Sequence, residues 1–362
     1  MHDERQSEVI QPVGGAADPS SVSAIVAAGG KLPREVARPL RIGAVNNPMS
    51  GRNLKKGGLQ TVLDVLAAHP EVTQHGVETL ADIRDAAVQL CREGVEVIAV
   101  NGGDGTVQAV MTGMFGEPHP GPLPLLLVLP GGTTNMTALD IPVPKEPPAR
   151  TLERFLVAAK QGKVPATLVQ RPVIRLQRGN DPALFGMYFG AGAVYHGVNF
   201  CRRYVHRVGL KGEIGPGLAM VVFIARGMFG ERSTLLPPLN TSGRLDDMVI
   251  GPKQYFGLMS STLEHLFLGM RPFWGTGPGP LKFMAVADGP RHVLRVAPSI
   301  MRGKPNSYVR PENGYESYNA STIELRIDSG FTLDGELFDA DPNAPVHLDG
   351  RYTASFLRVD KG

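Results

Sequence analysis

Two cysteines in 362 residues, Cys91 and Cys201, exclude a disulfide framework and a cysteine-rich metal site. None of the nine histidines has zinc-like spacing, and no Gly-x-Ser-x-Gly elbow is present, which excludes a structural zinc site and an ordinary serine hydrolase. No stretch reaches the ~18 consecutive apolar residues of a membrane-spanning helix, and the apolar run from Leu218 to Phe229 is broken by Arg226. The N-terminus, Met-His-Asp-Glu-Arg, lacks the apolar core of a signal peptide. The expectation is a cytoplasmic protein whose membrane contact is peripheral, at the inner surface. A net charge of +3 without dense basic blocks argues against a nucleic-acid partner. It suits a phosphate-bearing ligand or an anionic membrane surface.

What is present is an apolar fraction of 42%, enough for about two domains. Residues 1–38 are rich in Gly, Ala, Ser and Pro and read as a flexible leader, with a short helix allowed over Val22 to Ala28. Residues 39–164 alternate strands and helices. Leu40–Val45, Val95–Val100 and Leu123–Leu129 read as buried strands, and Gly76–Glu78 as a short one. Leu59–Ala68, Leu80–Glu93, Gly105–Phe115 and Leu152–Lys160 read as helices, the second capped by Thr79 and ended by Gly94. That pattern predicts βαβ units and a parallel sheet. Residues 165–350 carry short strand-like runs punctuated by Gly and Pro, among them His292–Val296, and predict a mainly antiparallel β-sandwich or open barrel. Helical insertions are expected near Gly217–Met228 and Leu258–Leu268. Residues 351–362 read as a C-terminal strand able to return to the first domain.

The strongest motif is Gly102-Gly103-Asp104-Gly105-Thr106, between a strand and a helix. Ligands in open α/β sheets bind outside the carboxyl ends of strands. Glycines let phosphate oxygens approach the backbone amides, and Thr106 lies where a helix N-terminus favours anions. Asp104 can bind Mg²⁺ or take a proton from an attacking hydroxyl; the alternative is a tight turn whose Asp only caps the helix. Pro130-Gly131-Gly132-Thr133-Thr134-Asn135 occupies the same position one βα unit later. Asn47-Pro48-Met49-Ser50-Gly51-Arg52 follows the first strand, with Lys55 and Lys56 read as ordinary surface lysines.

In combination these three loops resemble the diacylglycerol-kinase catalytic family, which includes bacterial lipid kinases, sphingosine kinases and ceramide kinases. The similarity extends more weakly through Gly190–Ala193, Gly243–Asp246 and Asp334-Gly335-Glu336, and covers roughly residues 40 to 360. The resemblance implies an ATP-dependent kinase with MgATP in a cleft between two domains. Asn47, Ser50, Gly51, Arg52, Gly102, Gly103, Gly105, Thr106, Gly132, Thr133 and Asn135 would hold the nucleotide. Asp104 would serve metal binding or base catalysis, and Glu336 would reach the cleft from the second domain as the candidate general base. Replacing Asp104 with Asn is expected to abolish turnover with little loss of fold.

Met136 stands where many bacterial diacylglycerol kinases carry an acid, and a thioether neither holds Mg²⁺ strongly nor carries a proton. The Gly190–Asn199 segment offers Tyr195, His196 and Asn199 but no acid to meet an amine-bearing lipid. A neutral acceptor, ceramide or diacylglycerol, therefore fits better than sphingosine. The basic stretch Phe200 to Lys211 reads as a solvated helix face or a docking face for anionic lipid. Trp274, with Phe273 and Arg271, reads as core, rim anchor or lipid entrance. An NAD kinase-like enzyme and a catalytically inactive lipid- or nucleotide-binding regulator are the rival readings. The oligomeric state is left open, a homodimer included.

Overall fold

The computed structural model describes residues 18–54, 57–141, 143–208 and 236–360, with only the backbone of 204–208. In chain order the first half holds α1 (Val22–Ala27), β1 (Ile42–Asn46), α2 (Gln60–Ala67), β2 (Thr73–Gln74), α3 (Leu80–Arg92), β3 (Val97–Gly102), α4 (Asp104–Gly116), β4 (Leu125–Pro130), α5 (Met136–Asp140) and α6 (Pro148–Lys160). The strands run parallel in the order β2-β1-β3-β4. Alternate residues of the central strands face opposite layers. Ile98, Val100, Leu126 and Val128 pack under α3 and α4 against Ile83, Leu90, Val107 and Met111. Val97, Ala99, Leu125 and Leu127 pack against Leu66 of α2 and Phe155 and Leu156 of α6. Both faces are covered, which is why these strands read as unbroken apolar runs. Helix α3 starts at a capping box between Thr79 and Asp82, and the chain turns away at Gly94, where φ is +70°.

The second half holds β5 (Ala166–Arg178), β6 (Leu184–Gly186), β7 (Tyr188–Gly192), α7 (Ala193–Val208), β8 (Leu239–Leu245), β9 (Met248–Ser261), β10 (Leu281–Ala287), α8 (Val293–Met301), β11 (Tyr315–Ala320), β12 (Thr322–Ile327), β13 (Phe331–Leu333), β14 (Glu336–Phe338) and β15 (Val346–Val359). Its strands pair antiparallel around Phe189, Tyr255, Phe283, Phe331 and Leu348. Strand β15 is the seam between the halves. It pairs antiparallel with β5 along most of its length and meets β4 in parallel where Phe356 faces Leu126.

Several expectations are corrected. Leu258–Leu268 is not a helix: its first part belongs to β9, and only Phe267–Gly269 forms a 3₁₀ turn. Between β7 and β10 this strand is buried on both faces, so its apolar residues lose the alternation that marks a strand. His292–Val296 is not a strand but opens α8. Its β-branched residues suggest extension, yet Val296 and Ile300, one turn apart, bury together against Val309 and Tyr315. The short strand near Gly76–Glu78 lies instead at Thr73–Gln74. Residues 18–38 are not a loose leader. Val22 and Val26 sit in the first-half core, and the fully buried Glu96 carboxylate accepts the Val22 N–H at 2.9 Å and Arg38 Nη1 at 2.7 Å. The helical insertion expected near Gly217–Met228, residues 1–17, and Lys55 and Lys56 lie outside the described residues. Among the described residues no helix is long and apolar enough to cross a membrane.

Candidate functional site

Strands β1, β3 and β4 end side by side, so the three glycine-containing loops that follow them converge at one edge of the sheet. Their contacts are direct. Asn47 Nδ2 donates to Thr106 Oγ1 at 2.8 Å, and Gly103 N–H donates to Ser50 Oγ at 3.1 Å. Arg52 N–H donates to the Gly131 carbonyl at 2.7 Å, and Gly131 N–H to the Gly102 carbonyl at 2.8 Å. Asn53, which the sequence did not single out, donates to the Asn47 carbonyl at 2.7 Å and braces the first loop from inside. Gly103 and Gly132 touch backbone to backbone, and a Cβ on Gly132 would strike Gly103 Cα. Asn135 sits at φ +48°, a left-handed conformation that Asn tolerates better than most residues. Its side chain accepts from Gly132 N–H at 2.9 Å and donates to the Gly132 carbonyl at 2.8 Å, closing the third loop on itself. Gly51 and Gly105 lie in the first two loops and Thr133 in the third. Every nucleotide-contact residue expected from the sequence therefore lies on one of the three touching strand-to-helix turns, Gly102 at the end of β3 and Gly105 and Thr106 in the first turn of α4.

Asp104 is buried, and its two carboxylate oxygens accept the N–H groups of Met136 and Thr137, each at 2.9 Å. It caps α5, the helix of the next βα unit, and locks the second loop to the third. Burial pushes its carboxyl above the ordinary range, opposed by the amides of Thr137 and Met136. The Met136 side chain is buried in the same core cluster as Val107 and Ala138. Among the described residues no group of three or more His, Cys, Asp or Glu side chains is arranged to hold a metal. Each Asp104 oxygen accepts one amide N–H and keeps a second lone pair, which suits a contact to Mg²⁺ carried in on phosphates rather than a cage built by the protein alone.

Glu336 comes from the other half of the chain. Leu333-Asp334-Gly335-Glu336 is the hairpin turn between β13 and β14, with φ of +48° at Asp334 and +88° at Gly335. The Asp-Gly pair thus makes the turn, and the turn aims Glu336. A Cβ on Gly105 would fall 2.7 Å from Glu336 Oε1, so that carboxylate lies directly against the second loop. Glu336 Oε2 pairs with Arg202 of α7 at 2.7 Å. Arg202 belongs to the basic stretch Phe200–Lys211, whose later residues lie outside the described side chains. The sequence carried no signal for this pairing, because nothing local links α7 to β14.

Asp334 is the acid that sequence reasoning undervalued. It is buried, and its oxygens accept Met187 N–H and Tyr188 N–H, each at 2.9 Å. Burial first, and then the negative charge of Asp104, hold its carboxyl well above the ordinary range. An acid raised in the folded state contributes stability that is fully present below its unfolded value of about 3.9 and is lost as pH rises through the folded value. The unfolding free energy from urea titrations should therefore fall from about pH 4 upward, by at most about 1.4 kcal/mol per pH unit for one proton. Asp334→Asn should flatten that slope; an unchanged slope would assign it to other groups.

The weaker motifs are architectural. Asp246 accepts the Ser321 and Thr322 N–H groups and fastens the β8–β9 turn to β12. Gly190 lies in β7 beneath Val194, and Tyr195 packs its ring against Gly330. Trp274 joins the small cluster around α8, and Phe273 packs against the main core.

Residues 41–166 match the family model of the diacylglycerol kinase catalytic domain. A Bacillus anthracis str. Sterne protein provisionally described as a diacylglycerol kinase superposes with a TM-score of 0.59 at 17% identity, covering 88% of this chain and 95% of that one. A second structure from the same organism, described as a diacylglycerol kinase, superposes with a TM-score of 0.54 at 16% identity, covering 88% and 97%. At these identities the likeness is one of fold. No curated protein matches the chain.

Proposed function

We propose that this chain, whose residues 41–166 carry a diacylglycerol kinase catalytic domain, transfers the γ-phosphoryl group of ATP to the primary hydroxyl of a neutral membrane lipid. The observation that carries the reading is the approach of Glu336, from the second half, to Gly105 in a trio of touching glycine loops. Phosphoryl transfer needs positioning and charge neutralisation more than covalent chemistry. The loop amides and the start of α4 suit the phosphates. Magnesium entering on ATP is part of the substrate, and no step is assigned to a metal held by the protein.

Glu336 is the better candidate for the base. Its carboxylate stands at the loop surface with Arg202 fixing its orientation, whereas both oxygens of Asp104 are turned toward α5 amides. Glu336 would take the hydroxyl proton as the oxygen attacks phosphorus, and Asp104 would keep the loops in register. The acceptor is assigned as ceramide or diacylglycerol rather than sphingosine. Met136 supplies core packing where an acid would otherwise stand, and Tyr195, His196 and Asn199 on α7 bring no carboxylate for an amine.

The test is ATP-dependent phosphorylation of a total lipid extract with mass spectrometry of the product, followed by parallel assays of ceramide, diacylglycerol and sphingosine in mixed micelles. A phosphorylated neutral lipid is expected. Preference for sphingosine would overturn the acceptor assignment, and ATP consumption unaffected by any lipid would overturn the function.

A further inference from the structure

Helix α8 is apolar on two sides. Val296 and Ile300 bury one face against Val309 and Tyr315. The opposite stripe, Leu294, Ala297, Pro298 and Met301, recurs at i, i+3, i+4 and i+7 and is exposed. Leu294 is 77% and Met301 41% open to solvent. The solvent side of an ordinary surface helix is polar. The stripe also continues past the helix. Arg271 N–H donates to the Met301 carbonyl at 3.0 Å, which sets the Phe267–Gly269 turn beside the end of α8. In that turn Leu268 sits at φ +56° with 52% of its surface exposed. A left-handed leucine is unfavourable, so the surrounding turn holds it there. Helix α5 packs against the same turn and presents Leu139, 53% exposed. The apolar rim thus runs from α8 toward the helix that begins at the third glycine loop.

The charge on α8 and its flanks is mostly of one sign, bounded by Asp288, Glu312 and, near the Leu268 turn, Glu264. From Gly289 to Pro311 the chain carries Arg291, Arg295, Arg302, Lys304 and Arg310 and neither Asp nor Glu. Exposed leucine and methionine flanked by cations match the boundary between acyl chains and acidic headgroups. Nucleic acid offers phosphates but nothing to bury the leucines. We propose that the outer face of α8, with the Leu268 turn, docks the protein on an anionic bilayer surface. The choice of a bilayer rests on the lipid-kinase reading and extends it. It places the contact on α8 rather than on the basic stretch beginning at Phe200, whose Arg202 is engaged by Glu336.

The full chain, without ATP, is sedimented with phosphatidylcholine vesicles with and without phosphatidylglycerol. Binding is expected to the mixed vesicles and to weaken as salt rises. The double variant L294E/M301E should lower binding about tenfold or more, and R302Q/K304Q about fivefold per charge. Both variants alter exposed side chains and should melt like the parent protein and phosphorylate detergent-dispersed lipid at its rate. No binding by the parent chain, equal binding to both vesicle types, or undiminished binding by L294E/M301E would each overturn the proposal. Binding to single-stranded RNA in place of vesicles, lost in R302Q/K304Q and kept in L294E/M301E, would overturn it in favour of a nucleic acid. The outcomes separate from those of the function itself: vesicle binding without phosphorylation of dispersed lipid would remove the kinase and leave the docking face.

Discussion

Glu336→Gln should lower turnover by about 10²- to 10⁴-fold, the usual contribution of a general base, while the protein unfolds at nearly the same temperature. The side chain is small in the stability balance. Glu336 and Arg202 are both partly exposed, at 24% and 45%, and a pair of that kind contributes about 0–1 kcal/mol. KM for ATP should change little, because the loops contact one another without Glu336. Asp104→Asn gives the contrast. The amide side chain presents one oxygen and one NH₂ where the carboxylate accepts two N–H groups, so activity and stability should fall together. This revises the expectation from sequence, in which that variant keeps its fold. Measured kcat, KM and melting temperature for the two variants decide the assignment. Near-normal turnover in Glu336→Gln would remove Glu336 as the base.

Asp140→Ala should cost about 3 kcal/mol of stability, read as a lower denaturant midpoint. Asp140 closes α5, and its side chain is fully buried. It accepts from Arg171 Nε at 2.7 Å and from the Glu264 and His265 N–H groups at 2.8 and 3.1 Å. Removing it leaves two backbone donors and Arg171 Nε without an acceptor, while the Arg171 Nη atoms keep the Gln170 and Asp140 carbonyls. Arg171→Met should cost less, since the arginine is 26% exposed and water can replace part of what it gives Asp140. The same carboxylate joins the helix of the third loop to β5 and to the segment after β9. An unchanged midpoint in Asp140→Ala would show that this network carries no stability.

The three loops were legible because their chemistry is local. Each glycine run follows an apolar strand by a fixed offset, and a parallel sheet brings the ends of β1, β3 and β4 to one edge. The capping of α3 by Thr79 was readable for the same reason. The expectations for β9 and α8 failed where tertiary partners outweighed local pattern. The Tyr255–Ser261 half of β9 is buried on both faces, and a small satellite cluster makes α8 a helix.

The sequence alone determined that a parallel α/β unit carries three phosphate-suited turns, since strand burial, glycine freedom and helix capping act over a few residues. Only the tertiary structure decided how the acids divide their work. Whether a carboxylate meets amides, a cation or another acid depends on chain segments far apart in sequence. Asp104 meets the amides of α5, Asp334 those of Met187 and Tyr188, and Glu336 meets Arg202 beside Gly105.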